Sequence, residues 1–182
     1  MDQPQSNDYN LLVLSCPSFS DDDMAFIQET RKRLDPDNVN IIPPHFTHVL
    51  PLDLSWQRTI ETAAKELAGQ FNPINFEVKT LTILDDQETG EQFLVLILKD
   101  YEPLLKLHSM MYERMGLPAP FGEDWIPHLT IGVSDIRQKL IDEAKVLKQS
   151  VVGMSGLVDS IEIIKWQPGE IEIVTKFQLG NN

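Results

Sequence analysis

The segment PPHFTHVLPL, residues 43–52, places a histidine and a threonine two positions apart in a stretch with the composition of a β-strand. The segment WIPHLTIGV, residues 125–133, repeats this pattern, and its histidine lies 83 positions after the first (128 − 45). A proline precedes each histidine, and proline disfavours helix in itself and in the residue before it. Both segments are therefore predicted to be strands.

Each histidine and its threonine are predicted to share one face of a strand. Side chains alternate along a strand, so residues i and i+2 point the same way. His45 and Thr47 then share a face, as do His128 and Thr130. If the two strands face each other across a cleft, two imidazoles and two hydroxyls converge there.

Helix and strand patterns surround the two segments in a similar order. Short apolar runs predict strands at 11–16, 76–84, 92–99, 160–166 and 170–177, and residues 39–52 are predicted to be extended. Four helices are predicted: residues 18–34 with Ser20 as N-cap, a second from Ser55, a third over about 102–115, and a fourth from Ser134 and Asp135 with Ile136 facing inward.

This order amounts to an approximate internal repeat of about 85 residues, which is longer than the roughly 20–50 residues of solenoid units. Each half contains one histidine-bearing strand between two helices. We interpret residues 10–180 as a single α+β domain made of two similar lobes. The polar residues 1–9 are interpreted as a flexible N-terminus.

Composition limits the function. The net charge is −13, which argues against gripping a long nucleic acid by its backbone, because that needs clustered lysine and arginine. The basic run Arg31, Lys32 and Arg33 is interpreted as a solvated face at a helix end. A small phosphorylated ligand is compatible with this charge, since a local site can oppose the global balance.

The sequence also favours an intracellular, cytoplasmic protein. No stretch approaches the roughly 20 apolar residues of a membrane span, and the N-terminus lacks the features of a signal peptide. Cys16 is the one cysteine, so no intramolecular disulfide can form, and a buried, inert thiol is expected there.

Two histidines and two threonines suit the cleavage of a phosphodiester. One imidazole can take a proton from the attacking oxygen while the other gives a proton to the leaving oxygen, because imidazole titrates near neutral pH. Threonine hydroxyls can donate hydrogen bonds to phosphate oxygens as charge develops there. This arrangement requires no metal ion, and acidic or histidine clusters at metal-ligand spacing are not evident in the sequence.

The motifs HFT and HLT resemble the paired His-x-Thr/Ser signature of the two-histidine (2H) phosphoesterase superfamily, and the resemblance extends over roughly residues 10–180. That superfamily includes bacterial 2′-5′ RNA ligase-like proteins and cyclic nucleotide phosphodiesterases. The resemblance implies a bilobal α+β fold, with an antiparallel sheet and flanking helices in each lobe and the active site in the cleft between them. It also implies hydrolysis, without metal or cofactor, of 2′,3′-cyclic phosphates or 2′-5′ phosphodiesters.

Carried over by position, His45 and His128 are the implied acid–base pair, and Thr47 and Thr130 the implied phosphate-binding residues. One departure is His48, which follows Thr47 where the family usually has an apolar residue. His48 lies three positions after His45, so a strand directs the two side chains to opposite faces, and we interpret His48 as structural or partly exposed.

Aromatic residues near the second motif are candidates for stacking on a nucleobase. Trp125 and Phe121 precede His128 in a loop rich in glycine and proline, where binding residues are common. Packing in the core is the alternative for both. His108 falls on the apolar stripe of the third predicted helix and is expected to be a core or boundary residue.

Three functions remain open from the sequence. The first is hydrolysis of a small nucleotide cyclic phosphate or an RNA end, and the second is the reverse ligation, which uses the same groups. The third is a module that binds nucleotides or RNA ends without turnover. The first is favoured, since a pure binder has no need of two titratable groups.

Overall fold

The protein has an α+β architecture in the computed structural model, which describes residues 9–85 and 90–180. The predicted flexible segment 1–9 lies outside the described residues except for Tyr9, whose hydroxyl donates to Glu170. The elements in chain order are β1 (Asn10–Ser15), β2 (Ser18–Phe19), α1 (Asp21–Leu34), β3 (Phe46–Asp53), α2 (Gln57–Ala68), β4 (Ile74–Asp85), β5 (Gln92–Leu98), α3 (Glu102–Met115), β6 (His128–Ser134), α4 (Arg137–Val151), β7 (Ser155–Val158), β8 (Ser160–Gln167) and β9 (Glu170–Gln178).

All of these strands belong to one antiparallel series in the order β2-β7-β4-β5-β6-β3-β1-β8-β9. The two histidine-bearing segments are neighbours near the middle of the series, because β3 pairs with β6. The strands on each side of this pair come from both halves of the sequence. Beyond β3 the order continues β1, β8 and β9, and beyond β6 it continues β5, β4, β7 and β2.

Two of the helices pack against the histidine-bearing strand that is not their nearest neighbour in sequence. Helix α1 precedes β3 in the chain but packs against β6, and α3 precedes β6 but packs against β3. Helix α2 packs on β8 and β9, and α4 packs on β4, β5 and β6. Elements of the two sequence halves are therefore interleaved in the structure, and neither half forms a unit of its own. The bilobal shape itself stays a prediction.

Helix α1 lies unusually close to the second histidine strand. Leu34 in its last turn is buried, and Gly132 in β6 faces it. A Cβ atom added at Gly132 would lie 2.8 Å from the Cβ atom of Leu34, which is too near for any ordinary contact. The glycine of the motif HLTIG thus permits the contact that joins α1 to β6.

Four local predictions are wrong. Residues 39–42 form hydrogen-bonded turns, with Val39 N–H donating to the Asp35 carbonyl at 3.0 Å, so extended structure begins only after them. The second predicted helix, from Ser55, begins as an α-helix only at Gln57, because Ser55 lies in a preceding 3₁₀ turn whose cap is the Asp53 carboxylate, which accepts from Ser55 N–H at 2.8 Å. Ile136 is 58% exposed rather than inward-facing.

The fourth error concerns Arg31, which is 2% exposed and lies in the interior instead of on a solvated face. Its neighbours Lys32 and Arg33 are exposed, as predicted. The N-cap at Ser20 is confirmed, because its hydroxyl accepts from Asp23 N–H at 3.2 Å.

No helix in residues 9–85 and 90–180 is long and apolar enough to cross a membrane.

Candidate active site

The four predicted motif side chains lie together on one face of the sheet. Phe46 of β3 pairs directly with Leu129 of β6, and both side chains are buried on the opposite face. Their flanking residues therefore point to the other face. In antiparallel register, one step on either side of this pair brings Thr47 level with His128, and His45 level with Thr130.

This register gives the site an approximate two-fold arrangement, in which each threonine lies across from the histidine of the other motif. The two histidines are diagonal neighbours, and Cβ atoms in that relation are about 7–8 Å apart or somewhat less. Such a separation leaves room for a phosphate between the imidazoles. The convergence arises because the two strands are adjacent, rather than from opposed walls of a cleft.

Both imidazoles are held in the same way. His45 Nδ1 lies 2.9 Å from the Pro43 carbonyl oxygen, and His128 Nδ1 lies 2.8 Å from the Ile126 carbonyl oxygen. A carbonyl only accepts, so Nδ1 carries the proton in each ring and donates it. The Nε2 atom of each neutral ring then has a free lone pair, and Nε2 is the atom available for proton transfer.

Burial lowers the pKa of both histidines below the usual imidazole value. The hydrogen bond to the Pro43 carbonyl opposes this effect on the pKa of His45, as the Ile126 carbonyl does for His128. The positive charges of Arg31 and of His128 lower the pKa of His45 further, while the Asp35 carboxylate raises it. The effect of His128 on the pKa of His45 agrees with the diagonal placement of the two imidazoles.

The threonine hydroxyls are available to a ligand. Thr47 and Thr130 are each partly exposed. Within the described ranges, neither hydroxyl has a side-chain hydrogen bond to the protein. Hydroxyls level with the imidazoles and free of internal partners can donate to the oxygens of a bound phosphate.

Trp125 and Phe121 form an aromatic stack next to His128. The Trp125 ring is parallel to that of His108, with centroids 4.6 Å apart, and nearly parallel to that of Phe121, with centroids 5.8 Å apart. Its centroid is 6.0 Å from that of His128. Phe121 has a positive φ of 62° and is 67% exposed, so it presents an open ring face at the end of the stack.

His108 and His48 are interior residues. His108 is fully buried, as expected, and its Nδ1 lies 2.8 Å from the His48 carbonyl oxygen. His48 is 1% exposed, and its Nε2 lies 2.8 Å from the hydroxyl of Ser15, which donates to the Ser160 carbonyl. The hydroxyl can therefore accept from Nε2–H, and burial lowers the pKa of His48 to about 3. His48 is a neutral structural residue that ties β3 to β1.

Two further predictions concern reactive groups. Cys16 is partly exposed, not fully buried as predicted. The burial that it has raises the pKa of its thiol to about 12, so the thiol stays protonated at neutral pH, in agreement with an inert cysteine. In the part of the chain that the structure describes, His, Cys, Asp and Glu side chains form no group of three or more that could hold a metal ion.

The surroundings of His45 were not predicted from the sequence. Arg31 and Asp35 form a buried ion pair, with Arg31 Nη2 3.0 Å from Asp35 Oδ2, and both charges act on His45. A signal was present in the helical period: Arg31 falls four positions after Ile27 and three before Leu34, on the buried stripe of α1. A charged residue on such a stripe indicates a buried partner.

Comparison with known proteins identifies the class of this fold and site. The family model of the 2′-5′ RNA ligase superfamily matches residues 19–170, and the chain belongs to that superfamily. The protein BH1439 of Halalkalibacterium halodurans, whose name assigns it provisionally to the phosphoesterases, is 27% identical over 158 residues, which cover 82% of this chain and 86% of BH1439. A phosphoesterase type of enzyme is thereby supported.

Solved structures share the fold at low sequence identity. TT0787 of Thermus thermophilus superposes with a TM-score of 0.61 at 13% identity, covering 95% of this chain and 99% of TT0787. Usb1 of Kluyveromyces marxianus, in a structure with uridine monophosphate, superposes with a TM-score of 0.57 at 13% identity, covering 97% of this chain and all of that one. The α+β fold of these two proteins is therefore shared over nearly the whole chain.

Proposed function

We propose that this protein is a metal-independent phosphoesterase that hydrolyses 2′,3′-cyclic phosphates, or related 2′-5′ phosphodiesters, of a nucleotide or an RNA end. One observation carries the proposal: the Phe46–Leu129 register brings His45, Thr47, His128 and Thr130 to one face, and a backbone carbonyl holds Nδ1–H of each imidazole, which leaves Nε2 unprotonated. Two proton-transfer groups and two hydroxyl donors around one phosphate are sufficient for this reaction.

The reaction begins with one neutral and one protonated histidine. The neutral imidazole accepts a proton at Nε2 from a water molecule that attacks phosphorus in line with the leaving oxygen. The protonated imidazole donates its Nε2 proton to the ribose oxygen as the P–O bond breaks. Each such transfer typically contributes about 10²–10⁴-fold to the rate. The two histidines exchange protonation states, and a ribose 2′- or 3′-phosphate is released.

The threonines act on the phosphate itself. Negative charge accumulates on the non-bridging oxygens as the attacking water adds, and donors fixed at those oxygens stabilise the transition state more than the substrate. Thr47 and Thr130 are level with His128 and His45, so each hydroxyl can donate beside the proton transfer made by the other motif.

The base of the nucleotide has a candidate contact in Phe121. Trp125 already carries the parallel ring of His108 and the nearly parallel ring of Phe121, so an added base extends the stack most readily from the exposed face of Phe121. Trp125 then packs behind the Phe121 ring and lies beside the ring of His128. Stacking of a base on an aromatic ring contributes about 1–3 kcal/mol.

A nucleotide-sized substrate agrees with both charge and fold. The net charge of −13 disfavours a long polyanion, whereas one terminal phosphate needs only the local donors described above. The structure of the Usb1 relative contains uridine monophosphate, which supports a nucleotide ligand for the shared fold.

The test is the hydrolysis of the four nucleoside 2′,3′-cyclic monophosphates in excess chelator, with identification of the product isomer. We expect turnover by the wild type, and kcat lower by at least about 10²-fold in His45→Ala and in His128→Ala, since each loses one proton transfer. Thermal unfolding of all three proteins controls for folding. Partial rescue of either variant by added imidazole would attribute the loss to the missing ring.

The alternatives give different outcomes. Turnover that chelator abolishes would contradict a metal-independent reaction. Tight binding of a cyclic nucleotide without any turnover would identify a binding module. Joining of a 2′,3′-cyclic end to a 5′-hydroxyl in the same assay would show that the protein also catalyses the reverse reaction.

A further inference from the structure

The strongest feature outside the two motifs is the buried ion pair of Arg31 and Asp35. The Arg31 side chain is 3% exposed and that of Asp35 is 5% exposed. Arg31 Nη2 and Nε donate to Asp35 Oδ2 at 3.0 and 3.3 Å, and Nη1 donates to the Ile42 carbonyl at 2.9 Å. Asp35 Oδ1 in turn accepts from the Asn38 side chain at 2.8 Å.

A buried pair of this kind is poor evidence for stability. Desolvation of the two charges offsets their attraction, and apolar replacements of similar volume are often neutral or stabilising. The contacts of Arg31 instead define a geometry, because a planar guanidinium fixes several acceptors at once. Here it joins the end of α1 to a carbonyl in the connection between α1 and β3.

That connection leads directly to His45. The Ile42 carbonyl held by Arg31 is followed by Pro43 and Pro44, whose rings restrict the backbone. The Pro43 carbonyl is the acceptor for His45 Nδ1. Pro43 directly follows Ile42, so the position of Ile42 fixes the carbonyl that orients the His45 ring, and Pro44 stiffens the link from that carbonyl to His45.

The second motif is held by different means. His128 has the equivalent bond to the Ile126 carbonyl, and its pKa responds to burial and to that carbonyl. The residue before Ile126 is Trp125, which is held in the aromatic stack. The carbonyl that binds His45 is therefore positioned through an ion pair, whereas the carbonyl that binds His128 follows a tryptophan fixed by ring packing.

We propose that Arg31 and Asp35 are positioning residues that hold residues 42–44 so that Pro43 fixes the Nδ1–H form of His45 and directs its Nε2 to the substrate. This inference rests on the proposed function for its kinetic consequence, although the state of the His45 ring can be measured without any activity.

The test replaces both charges together, in Arg31→Met with Asp35→Leu, so that neither is left buried alone. Another ion pair of α1 provides the matched control: Arg33 donates to both carboxylate oxygens of Glu143 at 2.9 and 3.1 Å on the surface. The control variant is Arg33→Met with Glu143→Leu. It removes an arginine of the same helix that has no contact with residues 42–44 among its described contacts.

Two readouts are compared. Long-range ¹H–¹⁵N spectra report the tautomer of each of the four histidines. We expect His45 to lose its pure Nδ1–H form in the Arg31/Asp35 variant, with the His128 signals unchanged. In the cyclic nucleotide assay we expect kcat to fall about 10- to 100-fold with KM within about threefold, since a misplacement of about 1 Å can cost about 10²-fold. The control variant should match the wild type in both readouts.

A single replacement adds a directional check on the charges that face His45, which are those of Arg31, Asp35 and His128. Arg31→Met removes a cation and leaves the Asp35 carboxylate, so the His45 pKa should rise in an NMR titration while that of His128 does not. If the double variant does not fold, Arg31→Lys, which keeps the charge but loses the planar fork, takes its place in both readouts.

An unchanged His45 tautomer, together with kcat within threefold of the wild type in a folded variant, would overturn the proposal. Absence of turnover in the wild type would instead contradict the proposed function. The imidazole spectra would still decide whether Arg31 and Asp35 position His45.

Discussion

At the residue scale, the pKa values of the two motif histidines differ from that of free imidazole, and the direction of the difference determines the pH range in which the site is active. Burial lowers the pKa of both. The base histidine therefore stays neutral to a lower pH than free imidazole does, and the acid histidine loses its proton at a lower pH. Both limbs of the activity profile shift towards acid, because the pH dependence of kcat/KM reports the ionisations of the free enzyme.

We expect kcat/KM for a cyclic nucleotide to be greatest below about pH 6.5, the unperturbed imidazole value, and to decline towards pH 8. The measurement is a profile from pH 4.5 to 9 at constant ionic strength, corrected for any unfolding. An optimum above pH 7.5 would show that the acid histidine has a raised pKa and would contradict the effect of burial described here.

Residues of the motifs were predictable from the sequence because alternation along a strand is a local rule. His45 and Thr47 share a face whatever the rest of the chain does. The burial of Arg31 was not predictable in the same way, because it depends on Asp35 and on the Ile42 carbonyl, which a turn of the chain brings to it. The helical period marked Arg31 as unusual without identifying these partners.

At the element scale, the helix that the sequence predicts from Ser55 differs from the structure in where it begins. The sequence predicts a helix from Ser55, but the Asp53 side chain accepts the Ser55 N–H and caps a 3₁₀ turn that precedes α2. That hydrogen bond lowers the pKa of Asp53. Both residues are exposed, so replacing either side chain leaves the core intact.

We expect Asp53→Ala to lower Tm by about 2–4 °C, the usual consequence of losing a cap in a domain of this size, while Ser55→Ala changes Tm by less than about 1 °C. Asp53→Asn should retain most of the wild-type Tm, since its amide oxygen can accept the same bond. Thermal unfolding followed by circular dichroism at pH 7 gives the comparison. The reverse order of the two alanine variants would identify the Ser55 side chain, and not that of Asp53, as the cap.

The helices were predictable because their apolar period and caps are local, and α3 runs over the predicted residues 102–115. The strands β2 and β7 were missed because they have two and four residues, too few to show alternation. Their pairing with each other is a long-range contact, which no local pattern reports.

At the scale of the whole molecule, the order of the strands could not be derived from the sequence. Asn10 of β1 pairs with Trp166 of β8, and such distant pairings leave no trace in composition. The same topology places His48 in the interior, where its Nε2 joins β3 to the Ser15 hydroxyl of β1. The stability of the fold against acid therefore depends on a residue that the site does not use.

The sign of this dependence follows from the pKa of His48, which is about 3 in the folded protein and about 6.5 when unfolded. The unfolded chain takes up the proton first as the pH falls, so stability is lost from about pH 6.5 downwards. The loss between pH 8 and pH 5.5 is about 1.5 kcal/mol from this group.

We expect the free energy of unfolding of the wild type to fall by about 1.5 kcal/mol more than that of His48→Gln over this pH range. Glutamine does not titrate, and its amide can still donate towards Ser15. Urea unfolding of both proteins at pH 8 and pH 5.5 measures the difference, and the absolute stability of the variant does not enter. Equal losses in the two proteins would mean that His48 is protonated in the fold or is not buried.

The overall charge of −13 predicts how substrates of different length respond to salt. A substrate with several phosphates is repelled by the acidic surface at low ionic strength, and salt screens this repulsion over a Debye length of about 10 Å at 0.1 M. A mononucleotide cyclic phosphate carries one charge and is affected less. The kcat/KM of a six-nucleotide RNA ending in a 2′,3′-cyclic phosphate should therefore rise relative to that of the mononucleotide between 20 and 200 mM KCl.

A basic RNA-binding surface would give the opposite slope, because binding to it releases counterions and weakens with salt. A falling ratio would thus reveal a local cationic path to the site that outweighs the net charge, and would make an RNA end the better candidate for the substrate.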